Sequence, residues 1–577
     1  MCGIAGWSGR APLAAERLWG MKASLAHRGP DGMGDWISGN TALGHTRLAI
    51  IDPDHGQQPL VRGDVALVGN GEIYNDPDLR KLLTTPPPTG SDFEPLAITF
   101  QGPETFDQQR GMYTAAVTQD GNLWLARDPF GIKPLYVSQT DEGLAFASEP
   151  RALLAGGFAE ADVNLNAAHQ ALCVNYTVGE TTLWSGITRL PPGARWHFRD
   201  GEVIHQRQIP AWPEPEPTPK SEDEALKRFD AIMADSVAVH MRSDVPYGLF
   251  LSGGVDSSLI ATLSARLAGE PITTFTCGFA AEGAKDERDK ARRVAEALNL
   301  NLHEVEFTED DFWTLLPQAM WALDDLLLDP ACLPTFKLAQ AAKRDMTVVL
   351  TGEGGDELFA GYGRYRRALR PWWLGGRMAQ PQGAFKTCGF VLRQPTAQAQ
   401  QAWRQVADMA PSFRDRLQQA QARDVATWLP SDLLLKLDRM LMAHSLEGRT
   451  PFLDPHVAAF AQSLPPEMKI EGRRGKWLLR QWLAKHCPEA EPFAKKQGFT
   501  VPLYPWLAAK KEILSERLSQ NPFIAEVAKP DAVKVLIDNM GRPQAQAVYN
   551  LLGYAVWRRI HETGLMPAGS ALDLLDR

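Results

Sequence analysis

The stretch Tyr247-Gly248-Leu249-Phe250-Leu251-Ser252-Gly253-Gly254-Val255-Asp256-Ser257-Ser258 decides the architecture of the second half of the chain. A short apolar strand, residues 247–251, runs into a glycine-rich turn and then a helix-like run over 257–267. Glycines let backbone N–H groups approach phosphate oxygens, the serine hydroxyls add donors, and a helix N-terminus favours negative charge. The turn therefore reads as a phosphate cradle, with Asp256 as its natural magnesium ligand. No glycine-rich loop ending in Gly-Lys-Ser or Gly-Lys-Thr occurs, which argues against γ-phosphoryl transfer of the P-loop kind.

Outward from this loop the pattern continues as a strand at 272–277, a helix at 286–298, a strand at 302–307, two helical stretches, and a strand at 347–350. Strands alternating with helices indicate a doubly wound parallel sheet, which binds ligands in loops at the carboxyl ends of its strands. Such a loop follows the last strand: Thr351-Gly352-Glu353-Gly354-Gly355-Asp356-Glu357. Two of its carboxylates, Glu353 and Asp356, read as a site for catalysis and metal. From about Gln398 onward the chain reads as mainly helical.

Upstream, Pro210, Pro213, Pro215, Pro217 and Pro219 punctuate a polar stretch over 209–223, as in an interdomain linker. It separates residues 2–208 from residues 224–577. The first part carries short β-rich pieces bounded by Gly, Asn and Asp, at 65–68, 122–126, 134–138 and 143–147. A chain of 577 residues exceeds the ~250–300 at which single cores stop growing, so two large domains are expected.

Composition excludes several classes. With 44% hydrophobic and 22% charged residues the chain is neither disordered nor fibrous. A formal net charge of −9 argues against nucleic acid or an anionic membrane as main partner. The sequence has neither an 18-residue apolar run nor a basic-then-apolar leader, which predicts a cytoplasmic protein. Six cysteines without a Cys-x-x-Cys pair predict neither a disulfide framework nor a zinc site.

Cys2 stands apart from the other five. Once Met1 is removed, its own α-amino group, with an unperturbed pKa of about 7.7–8.0, can serve as base for its thiol. Around it stand Arg28-Gly29-Pro30-Asp31, Gly44-His45-Thr46-Arg47-Leu48-Ala49-Ile50, Asn70-Gly71-Glu72-Ile73-Tyr74-Asn75 and Gly90-Ser91-Asp92. In that order these segments resemble the class II, N-terminal-nucleophile glutamine amidotransferases. The resemblance implies a four-layer αββα domain in which Cys2 attacks glutamine. Asn70 and Gly71 would supply an oxyanion hole, since thioester formation wants preorganised donors. Arg47 would take glutamine's α-carboxylate and Asp92, with Glu72, its α-ammonium; Leu48, Ala49, Ile50 and Ile51 would line the pocket. Tyr113-Thr114 departs from the Phe-Ala expected there.

The glycine loop likewise resembles the ATP-pyrophosphatases. With the Glu353–Asp356 loop, Lys436-Leu437-Asp438-Arg439, the run Ser445 to Asp454, Gly475-Lys476-Trp477 and Lys495-Lys496-Gln497-Gly498-Phe499, the whole chain is similar to the glutamine-hydrolysing asparagine synthetases. That implies ATP and magnesium as cofactors, with Asp256 and Asp356 on the metal. Leu251, Ser252, Gly253, Gly254, Ser257, Cys277, Thr351 and Gly352 would bind ATP, Glu353 would orient the reacting groups, and Lys476 would meet charge on leaving pyrophosphate. Small molecules, glutamine, aspartate and ATP, are the implied partners; dimers are common in the family, though no residue here demands a homodimer. Leu323-Asp324-Asp325-Leu326 replaces the Asp-Glu-Pro of many relatives and is expected to face the acceptor, so amidation of a peptide or cell-surface precursor is the alternative. A catalytically dead scaffold is disfavoured because Cys2, Asp256, Asp356 and Lys476 are all present.

Overall fold

The computed structural model describes residues 2–575 except 280–286, 379–380, 382, 414, 496–499 and 565–566. Four residues of the 495–499 motif, Lys496 to Phe499, therefore lie outside the described residues, as does the first residue of the 286–298 helix. The first half contributes twelve strands: β1 (Gly3–Gly9), β2 (Gly32–Ser38), β3 (Thr41–Arg47), β4 (Leu60–Arg62), β5 (Val65–Ile73), β6 (Gly111–Gln119), β7 (Asn122–Arg127), β8 (Tyr136–Thr140), β9 (Gly143–Ala147), β10 (Thr188–Arg189), β11 (Ala194–Arg199) and β12 (Glu202–Gln208). They form two antiparallel six-stranded sheets, ordered β10-β8-β9-β1-β3-β2 and β12-β11-β7-β6-β5-β4.

Alternation places one face of each strand inward. Ile4, Leu43, Val68, Leu125, Phe146 and Phe198, drawn from both sheets, fill the space between them. On the outer face of the first sheet Trp7 and Ala42 pack against Leu18 and Met21 of the helix Ala15–Ser24. On the outer face of the second, Leu67, Ala115 and Tyr113 pack against Leu96 and Ala97 of Glu94–Thr99. These are the four αββα layers that the sequence implied. The unexpected Tyr113 is a buried core residue whose hydroxyl donates to Phe106 O at 3.0 Å and accepts from Arg195 at 2.6 Å.

The second half opens with the helix Glu222–Met241, capped by the Ser221 hydroxyl. Its sheet contains β13 (Tyr247–Phe250), β14 (Thr273–Phe279), β15 (Asn301–Phe307), β16 (Val348–Leu350) and β17 (Glu447–Arg449), ordered β15-β14-β13-β16-β17 and parallel throughout. The order runs outward from β13 to β15, then restarts on the other side with β16. The crevice at the carboxyl ends of β13 and β16 is thus a topological switch point, where such sheets bind ligands. Both glycine-rich loops emerge there.

One strand of this sheet has no counterpart in the sequence reading. β17 lies in the region read as mainly helical, and Glu-Gly-Arg is a poor strand former. It forms because a fully buried slot beside β16 lets Glu447 and Arg449 pair with each other at 2.6 Å. Among the described residues no helix is long and apolar enough to cross a membrane. All six cysteines are buried, and none forms a disulfide among the described residues.

Candidate active sites

β1 begins beside Cys2, β3 ends at Arg47, and β5 runs through Asn70, Gly71 and Glu72, so the β1–β3 pairing and the packing of β5 across the sandwich draw three separate motifs to one end. The Cys2 backbone N donates to Asn70 Oδ1 at 3.0 Å, and its Sγ lies 4.0 Å from Leu48 O. Cys2 is 8% exposed, and burial pushes its thiol up, so a base is required to free the thiolate. The adjacent nitrogen is placed for that duty once it is an amine.

Asn70 Nδ2 is buried and donates to no partner among the described residues, as an oxyanion donor held in waiting would. Gly71 has φ +135°, and a Cβ there would stand 1.9 Å from Met112 O, so only glycine fits. Cys2, Arg47, Leu48, Ile50, Ile51, Gly71, Glu72 and Asp92 share one pocket wall. Asn70 sits behind Cys2, and Ala49 turns away, its N–H donating to Asp31 at 2.8 Å.

Arg47 is 4% exposed and donates to Pro53 O at 2.7 Å and Asp52 O at 2.6 Å, which holds its fork rigid. Glu72 is committed elsewhere: it accepts from Arg242 at 3.0 Å and Arg449 at 3.2 Å. Burial raises its pKa to about 6 against the pull of Arg449. Asp92 accepts from Ile73 N at 2.7 Å, and burial with Glu72 nearby raises it well above the carboxylate range. Asp92 is thus the carboxylate left facing the pocket without an arginine on it.

Sequence reasoning missed several wall residues, among them Gly56, Gln58, Phe93 and, from β17 of the other half, Glu447. No local signal could have placed it there. Burial would raise its carboxyl, yet surrounding positive charge, Arg449 and Lys133 included, holds it at about 2.

The second centre is a cleft of about 540 Å³, within the ~300–1,000 Å³ usual for ligand sites. Every residue the sequence assigned to ATP, metal or adenylation lines it: Leu251, Ser252, Gly253, Gly254, Asp256, Ser257, Cys277, Thr351, Gly352, Glu353, Asp356 and Lys476. The loop after β13 is tied by Ser252 Oγ and Ser257 Oγ at 3.0 Å, and Gly253 takes φ +70°. Lys476, itself at φ +56°, bridges the two loops by pairing with Asp256 and, at 2.7 Å, with Asp356. Burial alone would lower its pKa, but the two aspartates raise it, so it stays cationic.

Glycines make this convergence sterically feasible. A Cβ on Gly355 would meet Asp256 Oδ1 at 2.6 Å, and one on Gly361 would meet Asp356 Oδ1 at 1.7 Å. The Asp256 and Asp356 carboxylates already converge on one cation, and all-oxygen donors suit magnesium, so these residues fit that ion. Leu323-Asp324-Asp325-Leu326 is a correction. Asp324 and Asp325 are fully buried on Arg439, Arg151 and Arg189 between the two halves, away from the cleft.

A pocket holding Cys2 beside Asn70 and Gly71, and a glycine-looped cleft at a sheet switch point, in one chain, fit a glutamine amidotransferase joined to a nucleotide-using ligase. Residues 1–208 match the family model described as glutamine amidotransferase domain, and residues 228–559 match that described as asparagine synthase. The chain is 32% identical to glutamine-hydrolyzing asparagine synthetase 1 of Bacillus subtilis (strain 168), over 98% of each chain. It is 29% identical to the glutamine-hydrolyzing asparagine synthetase of Brassica oleracea, over 90% of this chain and 81% of that one. It belongs to the asparagine synthase family.

Proposed function

We propose that the enzyme converts L-aspartate to L-asparagine with ammonia from L-glutamine, releasing glutamate, AMP and diphosphate. Cys2 attacks the glutamine amide as its α-amine takes the thiol proton, and the tetrahedral oxyanion is met by Asn70 Nδ2 and the Gly71 N–H. Collapse gives a glutamyl thioester and ammonia; water then releases glutamate. Arg47 and Asp92 orient glutamine by its α-carboxylate and α-ammonium.

In the cleft the aspartate β-carboxylate attacks the α-phosphorus of ATP, giving β-aspartyl-AMP and diphosphate. Ammonia then attacks the acyl carbon and AMP departs. Lys476 meets the charge growing on the leaving diphosphate, and Glu353 orients the acyl group. Asp256 and Asp356 would hold magnesium, which supplies charge neutralisation on the polyphosphate when bound. Enclosed transfer of ammonia keeps it unprotonated and keeps water from the adenylate.

The observation that carries the coupling is the β16–β17 pair. Val348 lies opposite Glu447 and Leu350 opposite Arg449, and Thr351 N donates to Arg449 O at 2.9 Å. One strand runs into the ATP cleft while its neighbour reaches the Cys2 pocket. The deciding experiment is AMP and diphosphate release with aspartate and then a panel of other carboxylates, with Cys2→Ala as control. Aspartate-driven AMP release, asparagine formation and a mutant active only on free ammonia support the reading. Inert aspartate with intact glutamine hydrolysis rejects aspartate as acceptor.

A further inference from the structure

The cleft holds charges that ATP, magnesium and glutamine leave unused. Asp329 and Lys436 also line it, joined at 2.8 Å, with the Lys436 side chain 9% and the Asp329 side chain 20% exposed. Asp329 is fixed from its far side, since its Oδ1 accepts from Ala331 N at 3.0 Å ahead of the helix Cys332–Ala342. Lys436 projects from the helix Leu434–Met442. Asp432, fully buried, lies against Asp329, within side-chain hydrogen-bond reach of it.

Burial, with Asp329 beside it, raises Asp432 well above the carboxylate range. Glu353 connects this cluster to the phosphate side: burial raises its carboxyl, and the charges acting on it are those of Lys436, Asp356, Asp256 and Asp329. Asp329, Lys436 and Glu353 all line the one cleft, so the ion pair stands open to a ligand beside the Glu353 carboxyl.

A group that complements this arrangement carries an ammonium and a carboxylate on adjacent positions. Laid antiparallel to the Asp329–Lys436 pair, it gives four alternating charges, each a charge-assisted contact. We propose that Asp329 and Lys436 recognise an α-amino-acid head on the acceptor, Asp329 taking its ammonium and Lys436 its carboxylate, while the carboxylate to be activated lies at Glu353. This rests on the reading that the acceptor is adenylated in this cleft, and it names the chemical class of acceptor the cleft selects.

The test uses the full-length enzyme with free ammonia as nitrogen donor, so the Cys2 centre is not limiting. AMP release is measured with aspartate, with succinate, which lacks the ammonium, and with β-alanine, which lacks the α-carboxylate. Wild type is expected to prefer aspartate to both. Asp329→Asn, which can still accept from Ala331 N, should raise the KM for aspartate roughly ten- to hundredfold and narrow the preference over succinate. Lys436→Gln should narrow the preference over β-alanine instead. The KM for ATP and glutamine hydrolysis should stay within about twofold in both, which also reports correct folding. If Asp329→Asn moves the KM for ATP as much as that for aspartate, or leaves the aspartate-to-succinate ratio unchanged, the pair is structural and the proposal fails. If wild type ignores aspartate, the same variants are compared on the panel acceptor that supports AMP release and on its des-amino analogue. An acceptor without an amino-acid head that serves equally well overturns the subsite while leaving ATP-dependent amidation standing.

Discussion

At the residue scale the Cys2 centre is a set of single atoms with single duties. Asn70 serves twice: Oδ1 holds the Cys2 nitrogen at 3.0 Å, and Nδ2 stays undonated in a buried position. Asn70→Ala should therefore reduce glutamine-dependent kcat by about 10²–10³ while ammonia-dependent turnover is retained, as parallel assays with the two nitrogen donors will show. The thiol is raised by burial, so its base must be unprotonated. Glutamine hydrolysis should accordingly fall as pH drops below the amine's ordinary range of about 7.7–8.0. Most of these residues were legible in sequence because each sits in a motif whose chemistry demands its type. Glu72 was legible as a position but not as a role: its carboxylate is taken by Arg242 and Arg449, which lie far along the chain.

At the scale of elements, the two glycine loops work because β13 and β16 are neighbours at the switch point, which brings Asp256 and Asp356 onto Lys476. Gly361 is the tightest element in that assembly, with a Cβ there also falling 2.3 Å from Lys476 Cε. Gly361→Ala should abolish aspartate-dependent AMP release while glutamine hydrolysis continues, and a mutant retaining near wild-type AMP release would refute this account of the loop. The strand 247–251 was readable as a short apolar run closed by turn residues, and those at 272–277 and 302–307 as short stretches alternating with helical runs. β17 was not, because its Glu and Arg acquire a reason to be buried only when β16 and the opposite half surround them.

At the scale of the whole molecule, a charged seam joins the halves. Arg28, fully buried, reaches Glu149 at 2.8 Å and Asp438 at 2.8 Å; Arg439 reaches Glu149 at 2.6 Å and Asp324 at 3.1 Å. Removing one partner of such a buried pair costs about 3–5 kcal/mol because the other charge is stranded, so Asp438→Ala should lower the denaturation midpoint and uncouple glutamine hydrolysis from AMP release. Burial would raise Glu149 and Asp438, but Arg439 and His27 on the first and Arg28 on the second hold both below the usual range. Their contribution is present above the unfolded values, about 4.3 for Glu and 3.9 for Asp, and is lost as pH falls through the lower folded values. Asp324, raised by burial, acts in the opposite direction and softens the slope. Acid titration followed by calorimetry should show stability declining below about pH 4, and a seam unaffected by acid would contradict this. The sequence determined the layered fold of the first half through its family resemblance, and the parallel sheet with its two glycine loops at strand ends by itself, because turn glycines and strand–helix alternation act over a few neighbouring residues. Only the tertiary structure decided that Asp324 and Asp325 belong to the seam, that Asp329 and Lys436 face the cleft, and that Glu447 closes the Cys2 pocket. A charge is assigned its partner by burial and distance in space, and neither is encoded in its neighbours along the chain.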